Sequence, residues 1–159
     1  SLEEVGGLVE EVIFEGLHFS TLEGRMRMTE KCALLKMHKE GKLNLDFKNS
    51  LGNVSYHVAC HQRVQNIGPK TKLILELIEE TAVKNIERCS GHDGTYAVKT
   101  ETHDKSVKIA RPVVRKVNEQ DADFFISDCP MAATHIGNLS DRVEQPEHPM
   151  TLLRRAYQI

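Results

Sequence analysis

The sequence predicts an α/β fold: an open, mostly parallel sheet with flanking helices, Rossmann-like, preceded by an N-terminal helical arm. Three observations carry this. From about residue 54 onward, short β-like runs alternate with longer stretches of helical periodicity. One of those runs, Phe124-Phe125-Ile126, is continuously apolar, as a strand covered on both faces has to be. Finally, Cys60, Cys89 and Cys129 recur at the same point of the alternation, each after a strand-like run and before a helix-like one. In a parallel sheet the strand-to-helix junctions open on one edge, so residues far apart in the chain meet in one crevice.

The elements follow in order. From Leu2 to Leu17, the residues Leu2, Val5, Leu8, Val9, Val12 and Ile13 fall at helical spacing, with Gly6 and Gly7 weakening the pattern. A second helix over about Thr29 to Glu40 carries Leu34, Leu35 and Met37, and Gly41 stands where a helix-ending glycine belongs. These two make the helical arm, residues 1–45, and residues 46–159 make the α/β domain. Asn44 to Asn53 reads as a loop and Val54 to Val58 as the first strand. Pro69 opens a helix carrying Leu73, Ile74, Leu77 and Ile78, and Thr81 to Arg88 is the second strand. The loop Ser90 to Thr95 contains Gly91 and Gly94. A helix over about Lys105 to Asn118 is expected to kink or restart at Pro112. After the Phe124 run, Pro130 starts another helix, and Pro149 to Tyr157 supplies the last helical turns. Strands alternating with helices imply right-handed crossovers.

Composition narrows the class. The chain has 159 residues, a net charge of −2 and a pI of about 6.4, enough for one domain with a core and without a basic block for nucleic acid. Aromatics are 5% and Trp is absent, which argues against stacking on bases. No apolar stretch reaches membrane-spanning length and no secretory signal is seen, so a cytoplasmic protein is expected, membrane-associated only through partners. Its four cysteines then read as free thiols or ligands rather than as a disulfide framework. A start at Ser1 without Met reads as a processed or excised piece of something longer.

The cysteines carry the chemistry. A helix N-terminus stabilises a thiolate, which is the form that binds metal or attacks a disulfide. Cys60 is flanked by His57 and His61, Cys89 opens a loop whose glycines admit close approach of a cofactor, and Pro130 follows Cys129. Any single cysteine is as readily a small buried hydrophobe. Three at equivalent junctions favour a metal or redox site. Cys32, on a helix beside Ala33 and Leu34, reads as structural.

The segments YHVACHQRVQNIG, RCSGHDGTYAVK, KIARPVVRKV and SDCPMAATHI, in that order, resemble the cysteine-rich CCG domain of the family of heterodisulfide reductase subunits B and anaerobic glycerol-3-phosphate dehydrogenase subunits C. The resemblance runs from about His38 to Ile159 and is strongest to heterodisulfide-reductase-related iron–sulfur proteins, in their C-terminal part. It implies an α/β domain whose cysteines bind a non-cubane iron–sulfur cluster or zinc in the service of electron transfer. The family pattern is a lone Cys, then Cys-Cys-Gly, then Cys-x-x-Cys. Cys60, Cys89 (with Gly91) and Cys129 match it, whereas Ser90 and Ala132 stand where two further cysteines would be. Five thiolates become three, so a cluster with the family's full ligand set is not expected from this piece alone.

Three thiolates suit Cys₃His zinc, with His61, His92 or His57 as the nitrogen donor, or an iron–sulfur cluster completed by a histidine, Ser90 or an exchangeable ligand. Taken singly, most of the eight histidines read as surface or hydrogen-bonded groups, and His135 as one that orients a loop. GHDGTY lacks the endings of phosphate-binding loops and reads as a turn. Lys105, Lys108, Arg111, Arg115 and Lys116 form a solvated basic face, or a docking patch for an acidic electron-transfer partner. The expected function is an iron–sulfur electron-transfer module of an oxidoreductase, with other redox subunits or the N-terminal part of the parent chain as partners. A structural zinc or subunit-assembly domain, and a metal-free thiol–disulfide domain, are the alternatives.

Overall fold

The computed structural model describes residues 30–64 and 69–159, and the chain divides into two compact units, Ser1–Asp46 with Ile159, and Phe47–Gln158. The helix expected over residues 2–17 lies outside the described residues. In the first unit, α1 (Glu30–Lys39) closes at Gly41, whose φ is +67°. The Gly41 N–H donates to the His38 carbonyl (3.0 Å) and the Lys42 N–H to that of Met37 (2.8 Å), which satisfies the last carbonyls of the helix.

The second unit is α/β. Its elements are β1 (Gly52–His57), α2 (Cys60–Val64), α3 (Lys70–Leu75), β2 (Thr81–Ile86), α4 (Thr100–Gln120), β3 (Phe124–Ser127), α5 (Pro130–Leu139) and α6 (Pro149–Tyr157). The three strands form a parallel sheet in the order β2-β1-β3. Glu147 extends the β3 edge by a parallel bridge to Ile126.

Burial follows strand position. Central β1 is buried at Val54, Ser55, Tyr56 and His57, on both faces, while edge strand β2 exposes Ala82 and Lys84 and buries Val83 and Ile86. Because side chains alternate along a strand, register partners share a face. Phe125 (opposite Ser55) and Ile86 (opposite His57) therefore lie on one face, where they join Ala110, Val113 and Val117 of α4 and Ala133 and Ile136 of α5 in one core. Val54, Tyr56, Val83 and Ile126 belong to the other face, and α3 packs against both β2 and α6.

Two expectations need correcting and one is narrowed. The helix after Pro69 ends at Leu75, because Leu77 and Ile78 already donate back three residues, to Ile74 and Leu75, in a tighter turn. Glu80 then turns the chain through a left-handed conformation (φ +52°) into β2. Of the two outcomes expected at Pro112, a kink or a restart, the restart does not occur: α4 is helical from Thr100 to Gln120 with Pro112 on its exposed side. Cys89 does not open a helix either: it starts a loop, and α4 begins eleven residues later. The helix at Pro130 and the last helix at Pro149–Tyr157 stand where the sequence put them.

A candidate thiol site at the carboxyl edge of the sheet

Register explains how the cysteines come together. His57 is paired with Ile86 on one side and with Ser127 on the other, so these three residues form the last row of the sheet. Cys60 lies three residues beyond His57, Cys89 three beyond Ile86, and Cys129 two beyond Ser127. All three leave the same edge, and β1 and β3 flank the point where the strand order reverses. Cys60 is the first residue of α2, and Cys129 is the N-cap of α5, its carbonyl accepting from the Ala133 N–H (2.9 Å).

The thiols sense one another. Although Cys60 is exposed, partial desolvation, first, and then the neighbouring Cys89 push its pKa up, with Cys129 adding to the rise and Arg63 opposing it. This corrects the expectation of a helix-stabilised thiolate at Cys60. A helix of five residues does not outweigh desolvation and two neighbouring thiols. Cys89 is exposed, and its sulfur accepts the Gly91 N–H at 3.4 Å. Cys129 is half-buried. Cys32 lies on α1, in the other unit.

Two buried networks hold the loops from below. On one face of β1, the His57 Nε2–H donates to the Arg88 carbonyl (3.0 Å) and its Nδ1 meets Ser127 Oγ (3.0 Å), which in turn accepts the Cys129 N–H (3.3 Å). Burial pushes the His57 pKa down, so the ring is neutral, and both nitrogens are engaged. His57 therefore leaves the set of candidate nitrogen ligands. On the other face, one oxygen of Asp128, Oδ2, accepts from the Tyr56 hydroxyl, from Gln62 Nε2 (2.7 Å) and from Thr71 Oγ1 (3.0 Å). This ties α2, two residues past Cys60, to the residue before Cys129. Burial and the Asp128 carboxylate push the Tyr56 hydroxyl far above its ordinary range.

The remaining candidates lie around this centre. His61 is exposed on the first turn of α2. His92 follows the Gly91 turn, half-buried, with its backbone N–H on Ser90 Oγ (3.3 Å), and it faces His135 electrostatically. His135 orients the loop, as expected. Its Nε2 meets Ser106 Oγ (2.9 Å), and that hydroxyl donates to the Gly91 carbonyl (2.8 Å). Ser90 and Ala132 are both buried. Lys105, Lys108, Arg111, Arg115 and Lys116 all face solvent on α4. Sequence reasoning missed Asp128, Tyr56, Gln62 and Ser127; the only local signal was that Ser127 and Asp128 directly precede Cys129.

As donors, three thiols suit zinc or an iron–sulfur cluster. As placed, no group of three or more His, Cys, Asp and Glu side chains among the described residues is arranged to hold an ion. The chemistry of the donor set thus fits such a group, and Cys60 is the thiol that its two neighbours perturb. No described helix is long and apolar enough to cross a membrane.

The cysteine-rich CCG domain family matches residues 54–137, more than half of the chain. The chain belongs to this family, a cysteine-rich domain related to oxidoreductase subunits. It is similar to the anaerobic glycerol-3-phosphate dehydrogenase subunits C of Escherichia coli K12 and of Escherichia coli O157:H7, each 32% identical over 118 residues, 74% of this chain. The chain spans about 29% of the length of these relatives. No solved structure matches it significantly.

Proposed function

We propose that the α/β domain, residues 46–159, carries an iron–sulfur cluster on Cys60, Cys89 and Cys129 and passes electrons within a multi-subunit oxidoreductase of the cytoplasm, residues 1–45 serving as a helical arm. The observation that carries this reading is the three cysteines leaving one edge of the parallel sheet, near enough that Cys89 and Cys129 both raise the Cys60 pKa. The kinship with a dehydrogenase subunit supports redox partners, either other subunits or the rest of a longer chain.

In this reading the three sulfurs hold the group, and His61 and His92 are the nitrogen donors carried on the same loops. The Gly91 N–H on Cys89 Sγ is a backbone hydrogen bond to a ligand sulfur, one of the contacts that tune a bound cluster. Raising the Cys60 pKa makes loading pH-dependent, since a ligand thiol must give up its proton. A bound cluster supplies a one-electron carrier; the protein supplies spacing, hydrogen bonds to sulfur and partial exclusion of water.

Iron, zinc and acid-labile sulfide measured on anaerobically purified protein test the proposal. Iron and sulfide together, with thiolate-to-iron absorbance, are expected. Stoichiometric zinc without iron or sulfide overturns it in favour of a structural or assembly domain.

The effect of Cys89 on the Cys60 thiol, the largest of any side chain on it, favours a second reading, a thiol–disulfide couple. Two thiols would lose two protons and two electrons to an oxidant such as a disulfide, forming one S–S bond. Thiol titration before and after mild oxidation decides it: a loss of two thiols per chain supports it, and no loss rejects it.

A further inference from the structure

His57 is 0% exposed, and both of its ring nitrogens bond to groups other than the cysteine sulfurs. It reaches both neighbouring strand ends at once. The Arg88 carbonyl can only accept, so the imidazole proton is on Nε2 and Nδ1 is an acceptor. The Ser127 hydroxyl must then donate to Nδ1, which leaves its oxygen lone pairs for the Cys129 N–H. One neutral tautomer satisfies every group in the chain of bonds. Arg88 immediately precedes Cys89, and Ser127 stands two residues before Cys129. A rigid planar ring therefore fixes the separation between the backbone that launches Cys89 and the backbone that launches Cys129.

We propose that His57 is a positioning residue that sets the spacing of Cys89 and Cys129, while a second link on the other face of β1, Gln62 to Asp128, holds the Cys60 helix to the Cys129 loop. The inference rests on the reading that these thiols form one site, and it adds a division of labour to it. Groups that orient ligands from behind typically contribute as much to affinity as a weak ligand does. A histidine that merely filled the core would act on all the cysteines alike. One that bridges two strand ends acts on two of them.

The test uses the whole 159-residue chain, metal-free, with the variants His57→Gln and Ser127→Ala. Alkylation of each cysteine by iodoacetamide is followed by mass spectrometry, with Cys32 as internal reference. In His57→Gln the Cys89 and Cys129 rates rise several-fold while the Cys60 rate keeps its wild-type value; in Ser127→Ala the change is larger at Cys129 than at Cys89. Cobalt(II), used as a probe and read by its thiolate charge-transfer band, binds His57→Gln about 10–100-fold more weakly than wild type. Equal change at all cysteines, or no change at any, overturns the proposal. Should His57→Gln not fold, Ser127→Ala, which removes a single hydroxyl, decides alone by the same criterion. A wild-type chain that ignores cobalt yet shows the alkylation pattern upholds the positioning role and counts only against the metal reading.

Discussion

Gly91→Ala is the most discriminating single change in the loop that carries Cys89. Gly91 has φ +73°, and an added Cβ would come within 2.3 Å of the Ser106 carbonyl oxygen and 3.2 Å of the Ala110 amide nitrogen. Both are backbone atoms in the middle of α4, so neither can swing away. The left-handed conformation costs an alanine about 1–2 kcal/mol, and forcing a methyl group into packed backbone adds about 1–3 kcal/mol, together roughly 2–5 kcal/mol. For a chain of this size that lowers the melting temperature by roughly 5–15 °C. Gly94→Ala is the control: its φ is +51°, yet its Cβ would meet nothing within 4 Å, so it keeps only the conformational part, about 1–2 kcal/mol. Thermal or urea melts of the two variants beside wild type separate clash from strain. If Gly91→Ala is no more destabilised than Gly94→Ala, the loop does not lie against α4, and the placement of Cys89 at the sheet edge loses its support.

Two titrations follow from the buried groups. Tyr56 is held protonated by burial and by Asp128, and burial alone raises Tyr157, so an ultraviolet titration should leave two of the three tyrosines ionising above the ordinary value of 10.0, Tyr56 last. Because the folded value is raised, the stability it contributes is present below the unfolded value and is lost as pH rises above it; Asp128→Asn should bring the Tyr56 transition down, and an unmoved transition refutes the contact. His135 has its pKa lowered by burial and by the neighbouring His92 and His103. The unfolded chain then takes the proton first, so stability present above the ordinary value of 6.5 declines as pH falls below it. His135→Gln should flatten the fall in urea midpoint between neutral and mildly acidic pH, and an unchanged slope assigns that fall to other groups.

What the sequence made legible depended on whether a residue's partners were near it in the chain. The run Phe124 to Ile126 announced β3 by hydrophobicity alone, and Pro130 and Pro149 marked their helices by fixing the first turn. β1 was harder, since Ser55, Tyr56 and His57 are polar or amphipathic residues buried in its interior. Tyr56 and His57 are tolerated because partners 31, 70 and 72 residues away satisfy them: Arg88 and Ser127 for His57, and Asp128 for Tyr56. No local pattern encodes those pairings. The first turn of α4 was missed because Thr100, Glu101 and Thr102 carry no apolar periodicity. The end of α3 was overrun because Leu77 and Ile78 keep helical spacing after the backbone has already turned. Convergence of the cysteine-bearing loops at one edge was readable, since it follows from parallel topology. The effect of Cys89 on the Cys60 thiol and the depth of His57 were not, since they depend on packing.

The two absent cysteines turn the ligand question into an experiment. Ser90 is 3% exposed and its hydroxyl accepts the His92 N–H, so Ser90→Cys exchanges oxygen for sulfur beside Cys89 with little change of shape. Ala132 is 4% exposed, three residues past Cys129, at the spacing that puts two side chains on one side of a helix. Ala132→Cys adds one buried sulfur at a packing cost of about 1–3 kcal/mol, which the fold should tolerate. If the three native thiols form an incomplete version of the family's ligand set, the double variant reconstituted anaerobically with ferrous iron and sulfide retains more iron and sulfide per chain than wild type, and each single variant falls between. If instead the three thiols already hold their group with a histidine or an exchangeable ligand, the added sulfurs leave the iron content unchanged while the melting curve shows an intact fold. A rise in zinc without sulfide speaks for a closed tetrahedral site. The wild-type residues at 90 and 132 would then have been what kept one coordination position open.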